Sequence, residues 1–591
     1  MLELLVKYAH DHDLVVEPGF KTKDVRWAIV CDEKGNFLDV LELGDAAQKS
    51  NRGRTFSWCP EMDRGRLQAG GKSHFLVETA AVIALYGQGA DAEKIHQKHR
   101  YFIDLLRAAS DAMPELKLLS ALLGHEEAMG AIRERLANQK AKPTDSMTFR
   151  IGDSFPVDLP TWHPWWRSFR EALSAGEGEG PTVSRKTAVS GTMRCFVGGE
   201  LAEPVLTHSK IEGLASVGGR PSGDALICFD KEAFQSYGLE QSANAAVSEE
   251  AASAYRAALN HLIRHRSRNL AGTKVVHWFK CQVPVEDDPL PWLEEGGDEE
   301  ERSAQHLAEK LLTTIRNGER PDLAANHFYA LTLSGAAGRV MVRDFMEGPF
   351  EDLASNIHTW FDDLAIVHRE GGRPAPDPKF LAVLGATVRD LKDVPPPRAT
   401  KLWRVAVRNE SIPADVLAQA LSRTKMDVLA GGALNHARMS LLKSYHIRQA
   451  RQKGGNAVPS ELTPYLNEKH PSPAYQCGRL MALLAGLQRA ALGDVGAGVV
   501  QRYYAAAGTT PALVFGRLTR LSQFHLSKLD PGLAHWYESK IAGIWGHLRD
   551  ALPATLSLEE QSLFALGYYQ QLAEMRTKKP KEVAHEPTDS E

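Results

Sequence analysis

The chain holds 591 residues, 43% hydrophobic and 24% charged. This is ordinary globular composition, which excludes collagen-like, disulfide-rich and wholly disordered chains and suggests three or four domains at about 150 residues each. Lys and Arg number 70 against 74 Asp and Glu, a net charge of −4, so taken whole the chain is not a basic nucleic-acid binder. The charge is uneven, however. Residues 401–591 are net +7 and the first 400 net −11, and nine acids with no Lys or Arg crowd into Cys281–Glu301. An acidic stretch thus separates a near-neutral front from a basic back, and such asymmetry points toward nucleic acid.

The six cysteines (Cys31, Cys59, Cys195, Cys228, Cys281 and Cys477) are isolated, with no Cys-x-x-Cys pair. A zinc ribbon, a redox motif and a disulfide framework are therefore not expected. The first residues, MLELLVKY, lack a basic flank and a long apolar core, so no signal peptide is expected. No apolar run approaches the ~18 residues that span a bilayer. The expectation is a soluble, cytoplasmic protein.

In chain order, Arg26–Asp32 and Phe37–Leu43 are apolar segments flanking a Gly turn, a β-hairpin pattern. Glu78–Leu85 and Ala92–Ser110 read as helices. A second hairpin is expected over Met193–Val205, turning at Gly198-Gly199, and strands at Ala225–Phe229 and Thr273–Phe279. Ser248 followed by Glu249 and Glu250 opens a helix running to His265. The front, residues 1–285, is therefore α+β. An acidic linker covers 286–302.

Beyond it the spacing turns helical: Ser303–Asn317, Asp352–Ile366, Pro376–Leu391 and Pro413–Leu429, with Pro395-Pro396-Pro397 as a break. This middle domain spans 303–456, and a proline-bearing linker 457–475 follows. A helical bundle over 476–575 shows Cys477, Leu480, Leu484, Leu487 and Ala491 on one face and Tyr537, Ile541, Ile544 and Leu548 on another. Ser557-x-x-Glu560 is a capping box for its last helix. Residues 576–591 read as a disordered tail. The expected fold is an α+β N-terminal part followed by an all-α C-terminal half ending in a bundle.

Catalytic motifs are absent or incomplete. Gly65–Ser73 (GRLQAGGKS) approximates a phosphate loop, but Arg66 stands where the first Gly belongs. His10-Asp11 matches the His-Asp pair of metal-dependent phosphohydrolases without the further ligands such a site needs. His261 and His265 lie one turn apart, with Leu262 where a zinc protease has its Glu. No cofactor or metal is expected. The alternative to a non-catalytic protein is a metal-dependent nuclease or nucleotidase using His10 and Asp11 or Lys72.

Two basic clusters stand out. Arg438, Lys443, Arg448, Arg451 and Lys453 fall within one helix and its exit, in a segment (Lys401–Asn456) with ten basic and three acidic residues. Such a set suits a phosphate-backbone track. On the helix after Thr510-Pro511, the apolar face is Val514, Leu518, Leu521, His525 and Leu529. The neighbouring face carries Arg517, Arg520, Phe524 and Lys528, a basic stripe with one aromatic that fits single-stranded nucleic acid.

Long segments resemble one known family in a single order. They are Lys210–Asn244 (KIEGLASVGGRPSGDALICFDKEAFQSYGLEQSAN), Ser248–His261 (SEEAASAYRAALNH), Leu331–Ile366 (LTLSGAAGRVMVRDF…NIHTWFDDLAI), Ala474–Leu483 (AYQCGRLMAL), Thr510–Asp530 (TPALVFGRLTRLSQFHLSKLD) and Leu563–Gln570 (LFALGYYQ). They resemble the large subunit of type I-C CRISPR effector complexes (Cascade), the Csd-one family. The resemblance implies a non-catalytic subunit of an RNA-guided antiviral surveillance complex. Its implied partners are the guide-RNA-containing complex (backbone, guide-processing and small subunits), target double-stranded DNA with its displaced strand, and a recruited helicase-nuclease. The implied work is reading the protospacer-adjacent motif, opening the duplex and stabilising the R-loop.

By the same resemblance the bundle is similar to the small subunit, which is made from an internal start in the same gene. Motif reading would fall around Lys72–Thr79, with Ser73, His74 and Thr79 in that segment and Arg52, Arg54 and Lys72 on phosphates. Family members commonly carry Asn near Thr79, which offers a donor and an acceptor where Thr has only a hydroxyl.

Overall fold

The computed structural model describes residues 1–577 apart from 16, 18, 45–52, 63–70, 88–91, 176–191, 295–303, 455–458, 494, 496–497 and 550–551. The chain divides into two compact units. The first is Met1–Gly213 with Pro221–Arg264; the second is Leu214–Arg220 with His265–Glu591.

The first unit contains β1 (Phe20–Val25), β2 (Trp27–Cys31), β3 (Phe37–Glu42), β4 (Arg54–Pro60), β5 (Glu78–Thr79), β6 (Ser146–Ile151), β7 (Met193–Arg194) and β8 (Leu201–Ala202). The expected first hairpin is β2–β3. Its turn is closed by the Asp32 carboxylate, which accepts from the N–H groups of Lys34 (2.9 Å) and Asn36 (2.8 Å), the usual service of Asp in turns.

The sheet order is β3-β2-β6-β5, with β2 and β6 parallel. A parallel pair requires a long crossover. Here it contains the helices Ala92–Ala108, Glu115–Leu123 and Glu126–Asn138. Their inward side chains Phe102, Leu106, Leu119 and Ile132 share a core with Ile29 and Phe149. β1 and β4 form a separate antiparallel ribbon.

The second expected hairpin is present but small, two residues per strand in β7–β8. The expected strand Ala225–Phe229 is absent; that region is irregular, with a bridge from Ile211 to Asp224. The expected helix Glu78–Leu85 reduces to β5 and a short helix, Ala80–Ile83. The helix Glu249–His265 stands as read, and the Ser248 hydroxyl caps it by accepting from the Ala251 N–H at 3.3 Å.

In the second unit, β9 (Ser267–Leu270), β10 (Thr273–Phe279), β11 (His327–Ala336) and β12 (Arg339–Pro349) form an antiparallel sheet in the order β12-β11-β10-β9. The β11–β12 hairpin lies in a stretch the sequence reading leaves without strands. Gly335 near its tip lies so close to Gly219 that a Cβ there would sit 2.2 Å from the Gly219 backbone. This contact holds the segment Leu214–Arg220 in the second unit, and only glycine fits it.

The helices Ala304–Arg316, Phe350–Leu364 and Ala414–Leu429 lie close to their expected spans. Pro376–Leu391 shrinks to Phe380–Gly385. The three prolines at 395–397 begin the helix Pro396–Arg408 instead of breaking the chain. Proline is favoured there because the first-turn N–H groups have no helical partner. The helices His436–Gln452, Pro473–Leu492, Val499–Ala507, Pro511–Leu526, Pro531–Leu548 and Leu558–Arg576 follow.

The heptad residues Cys477, Leu480, Leu484, Leu487, Tyr537, Ile541, Ile544 and Leu548 are buried. The Ser557–Glu560 capping box forms, with the Ser557 N–H donating to the Glu560 carboxylate at 2.7 Å. One apolar core runs from Leu270 to Ala573, so the sheet, the middle helices and the bundle share it. No helix among the described residues is long and apolar enough to cross a membrane.

Candidate nucleic-acid interface

In the first unit the segment Gly71–Thr79 leads into β5. Arg52 and residues 65–70 of the Gly-rich loop lie outside the described residues. The Glu78 carboxylate closes the segment on itself, accepting from the backbone N–H of His74 (3.1 Å) and of Thr79 (3.0 Å). The His74 Nδ1 accepts from the Met62 N–H at 3.2 Å. Burial, reinforced by nearby Lys23, drives the His74 pKa well below the ordinary histidine range, so its imidazole is neutral. Thr79 is half-buried and pairs with Ser146 on β6.

Ser73 must be corrected as a DNA contact: it is fully buried, with its hydroxyl facing the interior. Lys72 is half-buried and meets no acid among the described residues. Arg54 is exposed, donates to Asp158 at 2.7 Å, and lies over the rings of Phe56 and Phe155 at 4.6 Å each.

Beneath this segment is a charge cluster the sequence reading did not pick out. Arg256 donates to both Glu61 carboxylate oxygens (3.3 and 3.1 Å), and Lys21 lies 3.9 Å away. Burial alone would raise the Glu61 pKa, but Arg256, Lys21 and Lys23 overcome it and bring it down to about 2. Burial lowers the Lys23 pKa against the pull of Glu78 and Glu61. The basic members Lys21, Lys23 and Arg256 are matched by Glu61, Glu78 and Glu212, the last accepting from Lys21 at 3.3 Å, so the floor of the segment is an ion-paired network.

The first basic cluster in the second unit is not a surface track. The helix His436–Gln452 is buried over most of its circumference. Arg438 donates to Asp427 (2.6 Å) and to the Ala386 carbonyl (2.8 Å). Arg448 donates to Asp363 (2.9 Å) and to the carbonyls of Val405 (2.6 Å) and Glu410 (2.9 Å), beneath the Trp360 ring. Arg451 forks onto both oxygens of Asp363 at 2.7 and 2.6 Å. Lys443 is 2% exposed, and burial pulls its pKa down to about 8. Only Lys453 faces solvent. The reading of Arg438, Lys443, Arg448 and Arg451 as backbone contacts is therefore corrected: the three arginines are spent on acids and carbonyls of other elements, and Lys443 is buried.

The second cluster is where the sequence reading puts it. Val514 and Leu518 are buried, whereas Arg517, Arg520 and Lys528 are exposed, Phe524 is 67% exposed and Leu513 79%. Arg517 lies over the Tyr503 ring at 5.9 Å.

His10 is exposed at the end of the helix Leu2–Asp11. His261 Nδ1 bonds the Tyr8 hydroxyl at 3.1 Å, and His99 Nδ1 bonds the Val82 carbonyl at 2.8 Å. Among the described residues no three His, Cys, Asp or Glu side chains converge as metal ligands would.

Residues 5–576 match a family model described as CRISPR-associated protein (Cas_Csd1). The chain belongs to that family. It is thus a CRISPR-associated protein of the type I-C Cascade large-subunit group, as the resemblance implied. No curated protein matches it.

The Csd1-family assignment makes the missed residues of interest. Glu61 and Arg256 are 195 positions apart, and no local pattern joins them. Lys21 and Lys23 were legible as alternate positions of a strand, FKTKDV, had β1 been recognised.

Proposed function

We propose that this chain is the non-catalytic, DNA-contacting large subunit of its effector complex. Guide pairing supplies sequence specificity, and the protein supplies motif reading and backbone grip, the division seen in RNA-guided recognition generally. The observation that carries this reading is the open stripe Arg517, Arg520, Phe524 and Lys528, three exposed cations beside one exposed ring. Charge follows a backbone there while a ring stacks on a base. In the first unit, Arg54 and Lys72 meet phosphates, and His74 and Thr79 lie at the motif, above the ion-paired cluster of Lys21, Glu61 and Arg256. Duplex opening, R-loop stabilisation and recruitment of the helicase-nuclease follow from that position in the complex.

The gene also yields the bundle as a separate small subunit. Met481 is fully buried two turns inside its helix, so a product beginning there would lose Tyr475 and Cys477 from the packing. The start therefore precedes Ser472, and the mass of the small protein that co-purifies with the complex checks this.

The experiment for the main reading is Arg517→Ala with Arg520→Ala in the assembled complex. Binding should weaken across all target sequences, and the slope of log K against log salt should fall by about 2. Unchanged binding at ~150 mM salt would reduce the stripe to surface charge. DNA crosslinks to the first unit separate a motif reader from a pure scaffold.

A further inference from the structure

Part of the first basic cluster lines a cavity. Its volume is about 670 Å³, and its wall includes Lys401, Arg404, Glu410, Arg448 and Arg451. Small-molecule sites commonly measure about 300–1,000 Å³. Three elements of the second unit meet there: the helix Pro396–Arg408, the start of the helix Ala414–Leu429 and the end of the helix His436–Gln452. Asn409, in the left-handed region at φ 54°, ends the first of these and carries the chain along the cavity to Pro413.

The acids around the cavity do not match its cations one for one. Arg448 and Arg451 share a single acid, Asp363, at 2.9 and 2.6 Å. Arg404 holds two, Asp344 at 3.0 Å and Glu410 at 2.7 Å. Lys401 is exposed and meets no acid among the described residues. Four cations thus face three acids. Lys443 and Asp362, which act on each other nearby, leave that balance unchanged.

The donors left over are single ones. Arg448 is 2% exposed, and its Nε and Nη1 are engaged, but its Nη2 is buried with no hydrogen-bond partner. A buried guanidinium nitrogen without an acceptor is costly, and an ion or a water is the usual explanation of such a group. The forks of Arg404 and Arg451 are already filled by the carboxylates of Glu410 and Asp363, so a further planar carboxylate finds no free fork. Single donors from two helices, Lys401 Nζ and Arg448 Nη2, suit a tetrahedral oxyanion whose oxygens diverge. Asn409, Ser411 and Gln452 add neutral donors and acceptors, and no aromatic ring lines the cavity among the described residues.

We propose that this cavity binds a phosphorylated small molecule with a polar, non-aromatic carrier such as a sugar. The phosphoryl group lies between Lys401 and Arg448, reaching Nη2 directly or through one water. Hydroxyls of the carrier meet Asn409, Ser411 and Gln452. The backbone of a duplex does not reach a guanidinium buried as deeply as that of Arg448. The proposal is independent of the DNA-contacting reading.

The test is calorimetric titration of the full chain with inorganic phosphate, ribose 5-phosphate, ribose, a 5′-phosphorylated oligonucleotide and, at matched ionic strength, chloride. Inorganic phosphate should bind saturably at one site per chain, ribose 5-phosphate more tightly, and ribose and chloride not at all. Lys401→Gln should weaken both phosphates about tenfold, the loss of one charge-assisted hydrogen bond, and Lys401→Arg should keep most of the affinity. Lys401 has no partner in the fold, so both variants should melt as wild type does. Amide exchange in residues 401–412 and 448–452 should slow when ribose 5-phosphate is added.

Absence of saturable phosphate binding, or equal affinity in Lys401→Gln, would overturn the proposal and leave these cations serving the acids and carbonyls alone. Ribose 5-phosphate binding no tighter than inorganic phosphate would overturn the sugar carrier. Saturable binding of the oligonucleotide without binding of ribose 5-phosphate would assign the cavity to a strand end and overturn the small-molecule reading.

Discussion

Replacing Gly478 with Ala is the sharpest test of how the bundle is held. Gly478, in the helix Pro473–Leu492, faces the helix Leu558–Arg576. A Cβ there would lie 2.0 Å from the Phe564 carbonyl oxygen and 2.8 Å from the Tyr568 nitrogen. Gly567 is its counterpart, with a Cβ position 2.2 Å from the Tyr475 carbonyl oxygen. The obstacles are backbone atoms, so the helices must part by about 1 Å. Parting them strains a crossing built on buried Tyr475, Leu480, Phe564 and Tyr568. It also stretches two buried hydrogen bonds, Tyr475 to Gln570 (2.5 Å) and Arg479 to Gln571 (3.0 Å).

Over-packing costs about 1–3 kcal/mol, and weakening one buried hydrogen bond adds about 1–3. The intrinsic preference of helices for Ala over Gly returns about 1. The net expectation is about 3 kcal/mol of destabilisation. The double change with Gly567→Ala should cost about 4 and not 6, because one separation relieves both clashes. Gly543 is the control. It lies exposed in the helix Pro531–Leu548 with nothing near its Cβ position, so Gly543→Ala should stabilise by about 0.5–1 kcal/mol. Hydrogen exchange on the full chain localises the effect, since a two-unit protein need not unfold in one step. Amides in the helices 473–492 and 558–576 should open roughly 150-fold more readily in Gly478→Ala. Exchange within threefold of wild type there would refute the argument from backbone contact.

Three further outcomes follow from the buried charges. Lys443 is a cation whose folded pKa, about 8, lies below its unfolded value. Its burial therefore costs stability below pH 8 and costs less as pH rises toward 10. Lys443→Met should gain about 2 kcal/mol at pH 7 and remove that pH-dependent rise in thermal melts; a stability loss at pH 7 would refute it. Glu61 is the opposite case: its folded pKa of about 2 lies below the unfolded carboxylate value. Its stabilisation, on the order of 2–3 kcal/mol, is complete above pH ~5 and disappears as pH falls through about 2. Denaturant midpoints of wild type and Glu61→Gln should thus converge between pH 5 and 2, and a constant gap would contradict the assignment. Asp363→Ala strands Arg448 and Arg451 and should cost about 3–5 kcal/mol, while the folded fraction binds target DNA with wild-type affinity. Lost affinity at unchanged stability would restore those arginines to the DNA surface.

The legible parts of the fold were those where one element shows its own pattern. The hairpin β2–β3, the helix from Glu249 and the capping box at Ser557 each follow from a few adjacent residues. What failed was decided by distant partners. β6 (SMTFRI) is interrupted by Thr148 and Arg150 and becomes a strand by pairing with β2, some 120 residues earlier. β11 and β12 were hidden because HFYALTLSGA and RVMVRDFMEGP only bury what they do once β10 lies beside β11. Ala225–Phe229 looked strand-like but forms no ladder beyond isolated bridge positions at Asp224 and Ala225. For the site, the helix carrying Arg517 and Phe524 was readable because its apolar and basic faces are distinct. The helix His436–Gln452 was not readable, because burying it depends on Asp363 and Asp427, which its own sequence does not contain.

The charge count changes meaning in this light. Part of the positive charge of residues 401–591, net +7, is neutralised inside the fold. Arg404 is held by Asp344 and Glu410, Arg423 and Arg438 by Asp427, Arg448 and Arg451 by Asp363, and Arg479 and Lys540 by Glu468. Two of these acids, Asp344 and Asp363, lie before residue 401, so part of the negative front serves to neutralise the positive back. Phosphate binding draws only on cations that reach solvent, since only they exchange counterions for phosphates. Exposed cations such as Lys401, Arg408, Arg502 and Arg549 remain available for that work, and Arg517, Arg520 and Lys528 group along the exposed Phe524. A few exposed cations beside Phe524 thus say more about nucleic acid than the sum over half the chain.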